Sequence, residues 1–583
     1  MKTERDVGLR ELIHKSALLN AVRHDGKAQT GPVVGKILGE KPEYRNKVKE
    51  LTAVINEIVK EVNKLSLDEQ KRIVEKNWPE TLGKEKAEEK KLPPLPNVDW
   101  YPHVITRYAP NPDCVLHLGS ARAIVLCHEY AEMYKGTFIL RFEDTDPKLK
   151  RPDLEFYDLI RKDLAWLECK PDKEYIQSDR IPIYYEHAEK LLKDGNAYVC
   201  TCKPEDFRKK ILAQKPCDCR DLPVEENFRR WKMMFDGDYK EGEAVVRVKT
   251  ELDHPNPAVR DWPALRVLDT EKHPHPRVGS KYRVWPLYNL AAGVDDHLMD
   301  VTHIIRGKEH LTNEVRQTFM YRYFGWKYPE AIHYGRLKIT GATLSKSKIV
   351  QGIREGLYNS WDDPRLATFL ALRRRGIMPD AIKKMIIDLG PKTSDVILSW
   401  ENLYAYNRKI LDSTANRYFF VQNPIELTVR HISHDFDVKL GLHPDHPERG
   451  FREYLIQAHG SNDFAIFWIS GNDVDSAKVG MMIRLMELFN VKIEKANLYS
   501  AEAVFVSEPY EEAKKVKAQL IHWIPVGDDV PCKVVMPDAT VIEGVAESAC
   551  RKVKPDDIVQ FERFGFVRID QIDPKLTAYF AQK

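Results

Sequence analysis

Two strand-like runs, HVITRY (103–108) and TFILRFED (137–144), flank one helix-length segment in the first third of the chain. Between them APNPDCVLHLG forms a turn, and Ile124, Cys127, Ala131 and Tyr134 then recur at helical spacing until Lys135-Gly136 ends the pattern. A strand, one helix and a second strand in so few residues is a βαβ unit near its minimum size. Its crossover is right-handed and its strands are parallel. Such a unit opens a doubly wound parallel sheet, whose ligands sit beyond the carboxyl ends of the strands, near a helix N-terminus.

The rest of the 583-residue chain is organised around that unit. Residues 1–83 read as a helical appended domain. Leu51, Ile55, Ile58, Val62 and Leu65 form one apolar stripe, Pro42 suits a position near that helix's start, and Ser66 with Glu69 has capping-box spacing. A linker is expected at 84–98, where KEKAEEKK gives way to LPPLPN, and a boundary near 98 follows. The first half of the parallel-sheet domain then spans 99–194. An insertion with short strands occupies 195–284, and the sheet pattern resumes over 285–361, beginning at WPLYNLAAGVDDHLMDVTHIIRG. Residues 362–412 read as helical. Over 413–583, segments such as FAIFWIS, AVFVS and CKVVMP alternate with turn residues, which predicts antiparallel β-barrels.

Hydrophobic residues make up 43% and charged residues 31%, an ordinary globular balance. With 91 basic and 88 acidic side chains the net charge is only +3, so a surface for nucleic acid has to come from local segregation of charge. No apolar run reaches the roughly 18 residues of a membrane span, and the charged start MKTERDVGLRELIHK is unlike a secretion signal. Nine cysteines spread through a long chain argue for a reducing, cytoplasmic compartment over a disulfide framework.

Four of those cysteines are clustered as Cys200-x-Cys202, fourteen residues, then Cys217-x-Cys219. Two close thiol pairs suit a tetrahedral Zn2+. With no accompanying catalytic histidine or acid, the site is expected to be closed and structural. Two other short motifs carry chemistry. His117-Leu118-Gly119-Ser120 lies where the turn meets its helix: glycine there admits a flat base or a phosphate, and histidine can donate to developing phosphate charge. A turn histidine with a helix-capping serine is the plain alternative. Thr343-Leu344-Ser345-Lys346-Ser347-Lys348 reads as a loop whose lysine can neutralise phosphate charge.

Singly these motifs are common. In this order, on either side of an insertion, they resemble the two signatures of class I aminoacyl-tRNA synthetases, His-Ile-Gly-His and Lys-Met-Ser-Lys-Ser. Ser120 replaces the last position of the first, and Thr343 replaces the first lysine of the second. TRYAPNPDCVLHLGSAR (106–122), FILRFEDTDP (138–147) and VDDHLMDVTHIIRGKEH (294–310) are similar to the amino-acid and ATP sites of glutamyl-tRNA synthetases of the archaeal and eukaryotic type. The resemblance implies ATP contacts at His117, Gly119, Arg336, Leu337 and Lys346, with His117 and Lys346 catalytic. It implies a glutamate pocket of Arg107, Ala109, Asn111, Glu143, Tyr288 and Arg306. Ala292 stands where some members have asparagine.

Two guanidiniums for carboxylates and one carboxylate for an ammonium are what glutamate requires. Glutaminyl enzymes share the plan, but they typically carry Asp-Asp-Thr-Asn where this chain has Glu143-Asp144-Thr145-Asp146, and they lack an arginine at the position of Arg306. The implied activity is therefore ligation of L-glutamate to tRNA(Glu) with ATP and Mg2+; whether tRNA(Gln) is a further acceptor is left open by the sequence. The insertion is expected to hold the tRNA acceptor end and the barrels its anticodon. Residues 1–83 either meet RNA or a protein partner or are a helical appendage packed on the main body, and the sequence alone does not choose between the two. The rival readings are a glutaminyl-tRNA synthetase, a non-catalytic tRNA-binding paralogue, and a tRNA-modifying relative lacking the anticodon-binding part.

Overall fold

The structure, a computed structural model, describes residues 4–23, 26–78, 90–458, 463–474 and 478–583. The chain divides into two compact units, Met1–Lys91 and Leu92–Lys583. Among its described residues the first holds four α-helices: α1 (Glu4–Arg23), α2 (Thr30–Glu40), α3 (Val48–Val62) and α4 (Leu67–Asn77). Leu51, Ile55, Ile58 and Val62 of α3 pack with Ile13, Ala17, Leu18, Val33, Ile37 and Val74 in one core. The Ser66–Glu69 capping box opens α4, both halves of the reciprocal bond being formed. Pro42 differs from expectation: it opens a 3-10 turn, Pro42–Lys47, and α3 begins only at Val48.

The expected linker also ends early. Of 84–98, residues 84–89 lie outside the described residues, and the second unit begins at Leu92, not near 98. Leu92 and Leu95 are buried in its main core, the Leu95 N–H donates to Tyr134 Oη at 2.9 Å, and His303 Nε2 lies 2.9 Å from Pro96 O. Proline-rich chain packs well when its leucines find a groove and its few amides find partners.

The βαβ unit consists of β1 (Ile105–Tyr108), α5 (Leu118–Met133) and β2 (Thr137–Phe142), the strands being parallel with Ile105 opposite Thr137. Lys135 adopts φ 50°, and Gly136 then passes so close to β1 that a Cβ on it would stand 2.2 Å from Val104 O. Only glycine fits there. After α6 (Leu154–Trp166), β3 (Lys173–Ile176) pairs parallel with β2.

Helix α7 (Ile181–Lys193) leads into a four-stranded antiparallel sheet of β4 (Ala197–Cys200), β5 (Val245–Val248), β6 (Pro263–Val267) and β7 (Val284–Pro286). Helices α8 (Pro204–Leu212) and α9 (Val224–Asp236) lie between β4 and β5. The chain then returns through α10 (Tyr288–Leu298) to β8 (His303–Gly307), α11 (Leu311–Phe324) and β9 (Glu330–Tyr334), with β8 and β9 parallel. Thr302, just before β8, bonds Ile105 through its N–H and its hydroxyl. The strands therefore follow in space as β3-β2-β1-β8-β9. The order reverses between β1 and β8, the place where doubly wound sheets bind ligands.

Beyond β10 (Leu337–Ile339) come α12 (Lys346–Arg354), α13 (Phe369–Arg374), α14 (Pro379–Leu389), β11 (Val396–Leu398) and α15 (Trp400–Thr414). The stretch 362–412 is thus helical except for β11, which pairs parallel with β10. From Asn416 onward the described residues are β-rich and form two seven-stranded, mainly antiparallel sheets and a two-stranded one, Phe436–Gly441 with Phe451–Ile456. Of the seven-stranded pair, one is built from 416–422 and 529–582, and the other from 424–525 is set inside it in sequence.

Candidate active site

The turn after β1 brings the first motif to the sheet's carboxyl edge. His117 is the residue that caps α5: its Nδ1 accepts the Gly119 N–H at 3.0 Å, while Ser120 lies within the helix. The turn histidine of the plain reading is present, but the capping side chain is His117 and not Ser120. A Cβ on Gly119 would strike the His117 ring at 2.8 Å, so glycine is what lets the imidazole fold over the helix end. Burial lowers the His117 pKa, keeping the ring neutral. With Nδ1 accepting, the proton of the neutral ring resides on Nε2, leaving one donor free. The cap is braced from behind, where Leu118 N–H donates to Ala367 O at 2.9 Å and Phe369 N–H to Leu116 O at 3.0 Å.

The second motif meets the first. Lys346 is the first residue of α12, and its Nζ pairs with Asp113 Oδ2 at 2.7 Å in the turn leading to His117. Leu344 packs onto the same helix start, its Cδ1 3.6 Å from where a Gly119 Cβ would be. Leu337 is buried on β10, while Arg336 beside it is exposed, with its N–H on Asp395 Oδ1 at 2.9 Å. The buried Arg122 of α5 holds this turn by donating to Gly335 O at 2.6 Å.

Beside these motifs lies a cavity of about 520 Å³, lined by Ala109, Asn111, Glu143 and Tyr288 among others. Arg107 and Arg306 do not line it. Both are buried, 4% and 5% exposed, and their charges are felt by His310, which does line it. Burial, then Arg306 and Arg107, hold the His310 pKa down to about 4. Arg306 bonds only neutral groups: Tyr328 Oη at 3.0 Å, Gln317 Oε1 at 3.3 Å and His333 Nε2 at 3.4 Å. Among the described residues no carboxylate pairs it. Arg107 differs, since its Nε and Nη2 donate to Asp296 Oδ1 and Oδ2 at 3.0 and 3.2 Å. Asp296 also accepts from Arg141 Nη1 at 2.7 Å, and Arg141 Nη2 donates to Glu143 Oε1 at 2.8 Å.

Burial alone would raise the Asp296 carboxyl, but Arg107 and Arg141 outweigh it and hold it at about 2. Burial wins at Glu143, whose pKa is raised in spite of Arg141 and Arg107. Sequence reading missed Asp296, Arg141, His310 and Asn289. Asp296 carries one signal, lying eight residues after Tyr288 and four after Ala292, on one face of α10. Ala292 is fully buried, and Asn289 lines the cavity with an Oδ1 that is buried and has no partner. Asn111 Oδ1 is likewise without one.

The four clustered cysteines come together at the end of β4 and around α8. Sγ atoms of Cys200, Cys202 and Cys219 all lie within 4.8 Å of one another, and Cys217 Sγ is 3.9 Å from Cys200 Sγ. Cys202 and Cys219 Sγ are 3.7 Å apart. Tetrahedral Zn–S bonds of about 2.3 Å place sulfurs roughly 3.8 Å apart, so the donor set fits zinc. Arg230 Nη1 donates to Cys219 Sγ at 3.2 Å, a partner that would steady a thiolate. A second cavity, of about 400 Å³, lies between α8 and the segment before β6. Arg208, Arg247, Arg260 and Arg316 line it together with Trp262, whose buried Nε1 has no partner. Pro263 and Arg316 line both cavities.

The family described as "tRNA synthetases class I (E and Q), catalytic domain" matches residues 103–413. Two "anti-codon binding domain" families of the same group match 415–507 and 520–570. A glutamate–tRNA ligase of Pyrococcus furiosus is 52% identical over 98% of this chain and 99% of its own length. Its counterpart from Pyrococcus abyssi is 54% identical over the same shares. Among solved structures, a glutamate-tRNA synthetase from Elizabethkingia anophelis aligns with TM-score 0.40 and 24% identity, over 54% of this chain and 72% of that one.

Proposed function

The chain belongs to the class I tRNA synthetases for glutamate and glutamine, and from that premise we propose how its residues share the ATP-dependent ligation of L-glutamate to tRNA. The observation that carries the glutamate reading is Arg306, a buried guanidinium with no carboxylate partner among the described residues. The γ-carboxylate of glutamate supplies the missing charge. The neutral amide of glutamine leaves it uncompensated, which disfavours the glutaminyl reading. Glu143, with the free amide oxygen of Asn289, takes the ammonium, and Arg107 and Asn111 orient the remaining polar groups.

In the first step the α-carboxylate attacks the α-phosphorus of ATP, forming glutamyl-adenylate and releasing pyrophosphate. His117 Nε2–H and the α5 N-terminus stabilise the charge that develops on the phosphate, and Lys346 leaves Asp113 to neutralise the departing pyrophosphate. Arg336 and Leu337 flank the adenosine. Mg2+, when bound with ATP, screens the phosphate charge. In the second step a terminal ribose hydroxyl of tRNA attacks the adenylate carbonyl and AMP leaves. Both steps rest on positioning and charge stabilisation, with no covalent enzyme intermediate.

The arginine-lined cavity beside the amino-acid pocket offers a path for the tRNA acceptor end. Its walls include α8, which is bracketed by the zinc-ligating cysteine pairs Cys200–Cys202 and Cys217–Cys219. The C-terminal sheets take the anticodon, and residues 1–83 remain available to RNA or a protein partner. No helix among the described residues is long and apolar enough to cross a membrane.

The test is aminoacylation with labelled glutamate and labelled glutamine, each on purified tRNA(Glu) and tRNA(Gln), with tRNA present throughout. Glutamate on tRNA(Glu) alone identifies a discriminating enzyme. Glutamate on both tRNAs identifies tRNA(Gln) as a second acceptor. Charging of glutamine would overturn the role given to Arg306.

A further inference from the structure

Four ionised side chains beside the amino-acid cavity form a closed set. Arg107 on β1, Arg141 on β2 and Asp296 on α10 are each at most 5% exposed at the side chain, and Glu143 follows β2 at 12%. Asp296 uses both oxygens on Arg107 and shares one with Arg141, and Arg141 reaches on to Glu143. Two positive and two negative charges cancel within the set. Arg306 stands outside this balance as the single buried cation at the site without an anionic partner among the described residues.

We propose that Asp296 and Arg141 are positioning residues of the amino-acid site. Asp296 clamps Arg107 through two of its three nitrogens, and through Arg141 it fixes the oxygen of Glu143 that leaves its partner to meet the ammonium. The inference rests on the glutamate reading given above and extends it to residues that touch no substrate atom. Its physical basis is that buried guanidiniums beside a polar cavity collapse onto the nearest carboxylate unless one is already committed. Without Asp296, Arg107 and Arg141 would both compete for Glu143 and take it from the ammonium. The balance also defines the ligand. Glutamate carries one net negative charge and Arg306 one positive, so the filled site is neutral only if Asp296 and Glu143 are both ionised.

Glu143 provides a readout that a purely structural role would not move. The groups facing it are Arg141 on β2, Arg107 on β1, and Asp296 and Tyr288 on α10. Asp146, Lys150, His310 and Arg316 line the same cavity. Asp296 raises the Glu143 pKa, so removing its charge shifts the acid limb of glutamate kcat/KM to lower pH.

The experiment is steady-state aminoacylation of tRNA(Glu) by full-length wild type, Asp296→Asn and Arg141→Lys, over a pH series, with thermal melts of each protein. Arg141→Lys keeps the buried charge but loses the planar fork that bridges two carboxylates. For both variants we expect the KM for glutamate to rise about tenfold or more, with the KM for ATP within about twofold of wild type. Asp296→Asn additionally moves the acid limb downward. If Asp296→Asn yields no folded protein, Arg141→Lys carries the test through the split between the two KM values. A glutamate KM and acid limb unchanged in folded variants overturn the inference, as does an equal rise in both KM values. Failure of wild type to charge glutamate would instead overturn the underlying reading, so the two failures are distinguishable.

Discussion

Lys346 and Asp113 form the contact that joins the two motifs proposed to bind ATP. The pair is partly exposed, so its own contribution to stability is small. In the proposed mechanism its consequence is kinetic, since it holds the lysine at the helix start where phosphate charge would develop. Lys346→Ala is therefore expected to lower the rate of adenylate formation by roughly 10²- to 10³-fold, the scale of losing one transition-state donor. Glutamate affinity, measured by equilibrium binding, should stay within about twofold; an unchanged rate would remove Lys346 from the mechanism. His117, Gly119, Lys346 and Arg306 could be singled out in the sequence through the order of separated motifs and their resemblance to a known family, not through any one motif's spacing. Asp296 and Arg141 could not. Their significance is a shared oxygen between residues 155 apart in the chain, and no local pattern encodes that.

Among the elements, α6 carries a feature that sequence alone would assign to the surface. Its Asp163 is buried, and desolvation, opposed only in part by Arg373, pushes its pKa up to about 7. Glu547 in the C-terminal part is pushed up to about 7 in the same way, against Arg452. A carboxyl whose folded pKa lies above its unfolded one binds a proton more readily in the folded state. Its contribution is fully present below the unfolded value and is lost as pH rises through about 7. These two carboxyls therefore act to lower the melting temperature between about pH 5 and pH 8, whereas the buried neutral His117 and His310 act the other way below about pH 6.5. Asp163→Asn should flatten part of that slope and melt higher than wild type at pH 8, as followed by circular dichroism. The cysteine-bearing segment gives an element-scale test of another kind. The spacing of its cysteines was legible, but Arg230, which steadies Cys219 from α9, was not. If the four sulfurs hold zinc, Cys219→Ser should reduce the zinc measured by elemental analysis to well under one equivalent. It should also lower the melting temperature, as chelation of the wild type should.

At the scale of the whole molecule, the β-rich texture beyond Asn416 was visible in the sequence, and its nesting was not. Asn416–Tyr418 pairs with Val559–Phe561, closing one sheet around the entire length of the other. Strand propensity reports that a segment is extended, whereas the choice of partner depends on distant chain. The same limit displaced the boundary between the two units, because only the core shows that Leu92 and Leu95 belong to the second. That division has a consequence for function. Every residue proposed to touch glutamate, ATP or zinc lies within Leu92–Lys583, and the helices of the first unit are built on a separate core. A chain beginning at Leu92 should therefore fold and charge tRNA(Glu), with KM values for glutamate and ATP within about twofold of the full protein. The KM for tRNA then reports what the helical unit does. A rise of about tenfold, equivalent to about 1.4 kcal/mol of lost binding, assigns its exposed face to the nucleic acid. An unchanged value with intact kcat points to a protein partner instead. Loss of glutamate activation itself would mean that the amino-acid site depends on the first unit, which its independent core and the location of every site residue argue against.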